Sequence, residues 1–118
     1  MRIDTDSPVV KQVRREILIK EATEGSGFKN HRVMVTFEVI DKSEFKALAS
    51  EGDDAVIERV LKGWGDPKKD NKGGFDDMNG EPLPFTPEVL AKLLEKQWIG
   101  SGLVRAYTDV AYGGKLGN

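Results

Sequence analysis

Two stretches near the start of the chain alternate between apolar and polar residues. From Val9 to Ala22, Val13, Arg15, Ile17 and Ile19 fall on one side of an extended backbone. Gln12, Arg14, Glu16, Leu18 and Lys20 fall on the other, and the β-branched content favours a strand, with a helix as the alternative for the early part. The stretch from His31 to Ile40 alternates more cleanly. Val33, Val35, Phe37 and Val39 share one face, and Met34, Thr36, Glu38 and Ile40 share the other. Between them, Thr23–Asn30 (TEGSGFKN) supplies glycines for a connection. The pattern predicts an antiparallel β-hairpin with strands at about 9–22 and 32–40 and a mobile tip. A hairpin alone is marginal in water, so its apolar face must be covered by the helical remainder of the chain. One strand edge stays unpaired, open to self-association or to a partner.

After Ile40 the period becomes helical. Asp41 stands where a cap is needed, Glu44 comes three residues later, and Ile40 with Phe45 fits a hydrophobic staple, predicting a helix over about 42–50. Asp53 is placed to cap a second helix over about 53–62, carrying Val56, Ile57, Val60 and Leu61 on one face. Gly63 sits at the left-handed position that ends such a helix, with Trp64 folding back on it. Residues 65–84 are polar and rich in turn formers, with Phe75, Met78 and Leu83 as the apolar exceptions. They predict a long surface loop with a tight turn at Asn79-Gly80. Thr86-Pro87-Glu88 opens a third helix over about 87–98, with Phe85 stapled to Leu90. Its apolar stripe is Leu90, Leu93, Leu94 and Trp98. Gly100-Ser101-Gly102 breaks it, and Leu103, Tyr107, Val110 and Ala111 mark a fourth helix over about 102–112. With no internal repeat and no dividing linker, the expectation is one α+β domain over residues 1–118. A loose arm (1–8) precedes it and a frayed tail (113–118) closes it.

Charge narrows the function. The chain has 18 Lys and Arg against 20 Asp and Glu, a formal net charge of -2. A protein built to neutralise phosphates is basic on at least one face. The cluster Pro67-Lys68-Lys69-Asp70-Asn71-Lys72 is interrupted by acid and lacks aromatic neighbours, so nucleic-acid binding is not expected. The chain contains no cysteine, which removes disulfides and thiolate metal sites. No run is apolar enough for a signal peptide or a membrane span, so a soluble intracellular protein is expected.

Catalytic chemistry is not signalled. His31 is the only histidine, and base catalysis needs a positioned partner. The acidic residues of the loop fail the EF-hand register: Gly80 at the invariant glycine puts Phe75 at the first ligand, and Gly74 there puts Lys69 first. No Gly-x-Gly-x-x-Gly follows a strand, and no Gly-Lys-Ser or Gly-Lys-Thr occurs. No enzyme activity, cofactor or metal is therefore expected. What stands out instead is apolar: Trp64, Leu90, Leu93, Leu94 and Trp98. Such residues either fill a core or anchor a protein interface, where Trp is enriched.

The order of three motifs carries a resemblance. Val60–Asp66 (VLKGWGD), then Gly80–Leu94 (GEPLPFTPEVLAKLL), then Ala106-Tyr107 with a closing Gly117-Asn118, resembles the tail assembly chaperones of long-tailed bacteriophages. The resemblance spans most of the chain. It implies a non-enzymatic protein that binds the tape measure protein, keeps it soluble and helps recruit tail tube subunits. It also implies action in the host cell cytoplasm and absence from the mature virion. The alternative is a small structural completion or connector protein of the tail. A tape measure protein is expected to be long and helical with exposed apolar stripes, and covering these needs an apolar surface.

Overall fold

The computed structural model describes residues 1–2, 5 and 11–112. Most of the expected arm, the expected strand start at Val9 and the expected tail lie outside the described residues. Among the described residues the fold is α+β: a three-stranded antiparallel sheet and four α-helices.

Strands β1 (Lys11–Ala22) and β2 (Phe28–Val39) form the hairpin, in register from Lys11 opposite Val39 to Ala22 opposite Phe28. The second strand starts earlier than predicted, and the connection shrinks to 23–27, closed by the Thr23 amide donating to the Gly27 carbonyl at 3.2 Å. Phe28, Lys29 and Asn30 are exposed. Backbone pairing needs no apolar side chains, so this extension left no trace in the hydrophobic pattern.

Helix α1 (Lys42–Ala49) starts at Asp41, but the Asp41 side chain makes no capping bond. Glu44 is engaged elsewhere: its carboxylate accepts from Arg59 Nε at 2.7 Å. Arg59 also donates to Glu38 at 2.7 Å, so one guanidinium ties β2, α1 and α2 (Asp53–Val60) together. The bonds to Glu44, then Glu38, raise the Arg59 pKa above its ordinary value. The cap position of α2 is held by Gly52, not by Asp53.

The second predicted helix ends early. After Val60 the chain turns directly into strand β3 (Leu61–Trp64), which pairs with β2 through Val35–Trp64 and Thr36–Gly63, with a bulge before Phe37–Leu61. Gly63 is therefore a strand residue and not a left-handed helix stop. The far edge of β2 otherwise presents unpaired backbone groups, and β3 satisfies them. Four residues are too few to show an alternation in sequence.

The helices cover one face of the sheet. Ile17, Ile19, Val33, Val35 and Phe37 point into the core, where they meet Val56, Ile57 and Val60 of α2. From the C-terminal half come Leu90 and Leu94 of α3 (Pro87–Leu94) and Ile99, Leu103 and Tyr107 of α4 (Gln97–Ala111). Thr86 caps α3 as expected, its hydroxyl accepting from the Val89 amide at 3.2 Å. The break after α3 falls at Glu95-Lys96, not at Gly100-Ser101-Gly102, which lies inside α4. Gly102 is there for closeness: a Cβ would lie 2.8 Å from Ile19 Cγ2, so its absence lets α4 sit directly on β1.

Residues 65–84 form an ordered wrap around Trp64. Gly65 donates to the Met34 carbonyl at 2.7 Å and Met34 donates to the Gly73 carbonyl at 2.9 Å, so the segment continues the pairing along β2. Asp66 caps a single 3-10 turn (Pro67–Lys69), accepting from the Lys68 amide at 2.9 Å. Asp77 holds the predicted turn at Asn79-Gly80, its Oδ1 accepting from the Asn79 and Glu81 amides at 2.8 and 3.0 Å. The Asp and Asn residues of this segment serve turn chemistry.

Candidate protein-binding surfaces

Among the five apolar residues singled out by sequence, Trp64, Leu90 and Leu94 are buried in the core. Trp64 is 1 % exposed, its Nε1 donates to the Leu83 carbonyl at 2.9 Å, and the rings of Phe75 and Phe85 meet it edge-on at 5.1 and 4.7 Å. Leu93 and Trp98 are half-buried against the same core. The Leu stripe therefore faces inward, as an amphipathic helix face ordinarily does. Trp98 stacks on His31 at 5.1 Å, and His31 Nε2 lies 2.9 Å from Glu21 Oε1, so the lone histidine holds Trp98 and the hairpin together.

Two of the depressions on the described surface bear on binding. A groove of about 710 Å³ runs along the free edge of β1 beneath α4. Its walls carry Arg15, Glu16 and Lys20 from the strand and Arg105 and Asp109 from the helix, with Leu18, Phe28 and Trp98 as apolar points. Leu18 and Phe28 are 53 % and 65 % exposed. This surface is mixed in charge.

The second depression, about 200 Å³, is mainly apolar. It lies where the end of β2 and the start of α1 meet the end of α4. Ile40, Phe45, Tyr107, Ala111 and Tyr112 line it, together with the polar Lys42 and Thr108. Phe45 stacks on Tyr107 at 5.6 Å, and Tyr112 is 69 % exposed. The residues come from two remote segments. In sequence Phe45 and Tyr107 are stripe members of separate helices, with no sign that they share a cleft.

The floor of the cleft is held by one polar bond. Tyr107 is 1 % exposed, and its hydroxyl accepts from the Ile40 amide at 3.0 Å. Burial pushes the Tyr107 pKa above its ordinary value of 10.0, partly offset by the Ile40 bond. The phenol is thus favoured neutral in the fold. Its contribution to stability is complete below the unfolded pKa and is lost as pH rises through the higher folded value. Tyr107→Phe leaves the Ile40 amide unpaired and is expected to cost about 1–2 kcal/mol near neutral pH. Denaturation curves in the alkaline range should show this gap closing as pH climbs past the tyrosine range, because only the wild type has the buried Tyr107 phenol to ionise, and the exposed Tyr112 is common to both.

Among the described residues, no group of three or more His, Asp or Glu comes together in a way that would hold a metal ion. No helix among them is long and apolar enough to cross a membrane. No family model, curated protein or solved structure matches the chain.

Proposed function

We propose that this protein is a tail assembly chaperone of a long-tailed bacteriophage, which binds the tape measure protein, keeps it soluble and helps recruit tail tube subunits around it. It acts in the host cell cytoplasm and leaves before the virion is complete. The reading rests on the order of the Val60–Asp66, Gly80–Leu94 and Ala106-Tyr107 motifs, and what supports it in three dimensions is the open cleft beside Tyr112. A cleft of about 200 Å³ floored by Phe45 and Tyr107 suits a bulky apolar side chain projecting from a helix. Interfaces of this kind draw most of their energy from a few such anchors seated in preformed pockets. Tyr112 at the rim supplies contact area with little side-chain entropy to lose. A tape measure helix, carrying many exposed apolar residues, offers such anchors along its length and would engage many copies of a small chaperone.

Co-expression with the tape measure protein of the same genome tests this. The expected outcome is soluble tape measure protein that co-purifies with the chain, and an insoluble one in its absence. Mass spectrometry of purified virions separates the chaperone from a structural completion or connector protein: the chaperone is expected to be missing, and a stoichiometric presence would favour the structural role.

A further inference from the structure

Among the described residues the outer edge of β1 has no strand partner along its twelve residues, and natural proteins rarely leave such an edge bare. Charged residues on an edge ordinarily discourage pairing. Here their placement does the reverse for one partner, a second copy of the same strand. Facing residues of an antiparallel pair lie on the same side of the sheet, so a strand that pairs with its own copy about a twofold axis must set one residue opposite itself.

The possible registers differ sharply. With Arg15, Glu16, Lys20 or Glu21 on the axis, like charges meet directly. With Ile17 there, Arg14 faces Lys20. With Ile19 there, Ile17 faces Glu21 and Leu18 faces Lys20. With Leu18 on the axis, Arg15 faces Glu21, Glu16 faces Lys20 and Ile17 faces Ile19, and each pairing occurs twice. No like charges oppose one another in that register. Leu18, 53 % exposed and the one large apolar residue on the outer side of this strand, meets its own counterpart. Above the centre of this edge the helix presents Gly102, which lies against Ile19, and the small exposed Ser101, while Arg105 and Asp109 of the same helix flank the groove with opposite charges.

We infer that the protein self-associates through β1, as a twofold dimer centred on Leu18, in which two three-stranded sheets join into one of six strands. The dimer goes beyond the proposed function and does not depend on it: the cleft beside Tyr112 is lined by none of the β1 residues. Both faces of the new strand pair carry the opposite-charge contacts that stabilise neighbouring strands.

Charge reversal tests the pairing and its register together. Sedimentation equilibrium of the full chain is expected to give twice the 13.1 kDa of one chain. Glu16→Lys alone, or Lys20→Glu alone, turns both Glu16–Lys20 contacts into repulsions and should weaken the dimer by about tenfold or more. Mixing the two single variants should restore it as a heterodimer, and the double variant should restore the homodimer. Glu16 also bonds Arg32 at 3.2 Å within its own chain, but that pair is exposed, so circular dichroism should show every variant folded. A wild type that stays monomeric across the concentration series overturns the inference. So does a dimer that ignores the single reversals, or one that the mixture fails to restore.

Discussion

Replacing Trp64 by alanine is expected to lower unfolding free energy by about 3–5 kcal/mol, a large part of the roughly 5–15 kcal/mol available to a domain. Trp64 is the largest of the fully buried side chains. It joins β3 to the wrap of residues 65–84, and it is held from three directions by Phe75, Phe85 and the Leu83 carbonyl. The opposite wall is tighter still, because a side chain at Gly74 would collide with the indole ring. A smaller residue leaves a cavity that these rigid neighbours fill poorly, and the loop loses its anchor. Thermal or denaturant unfolding reads the loss. Trp64→Phe retains a ring but not the indole N–H, leaving the Leu83 carbonyl without that bond, and should cost about 1–3 kcal/mol.

Gly65→Ala is the second severe substitution. Gly65 has φ 66, in the left-handed region, where an alanine costs about 1–2 kcal/mol. A Cβ there would also run into the carbonyl of Asn71. Neither side can yield cheaply. Gly65 is fixed by its bond to the Met34 carbonyl, and Asn71 by its amide bond to the Asp66 carbonyl at 2.9 Å. The expected total is roughly 2–5 kcal/mol, again read by denaturation, with local loss of amide protection over residues 65–74.

Both effects fall in a stretch that the sequence described only in part. Its turn formers were legible: Asp66, Asp77 and Gly80 do what their chemistry suggests. What was hidden is that the loop closes on Trp64. A long-range contact of one indole with Phe75, Leu83 and Phe85 leaves no periodic mark. Strand β3 was hidden for a related reason. Leu61 continues the helical spacing of Val56, Ile57 and Val60, so local pattern favoured helix, and the free edge of β2 decided otherwise.

The strongest local signals held. The alternation at 33–39 became β2, and Thr86-Pro87 became the start of α3. The glycines at 100 and 102 misled because a glycine in a helix reads as a break, whereas the reason for Gly102, contact with Ile19, lies in another element. The site obeyed the same rule. Leu90 and Leu94 announced themselves and turned out to be core, while the cleft beside Tyr112 is assembled from segments far apart along the chain, as the Ile40–Tyr107 separation of 67 shows.

The central claim, that this cleft seats a tape measure helix, is tested most directly by Ala111→Arg. Ala111 is exposed at the end of α4 and lines the cleft, so arginine there fills the opening with charge while removing no core contact. In co-expression with the tape measure protein, the wild-type chain is predicted to keep it soluble and the variant to leave it in the pellet, with the variant itself folded and soluble. Equal recovery of soluble tape measure protein with both chains would contradict the account.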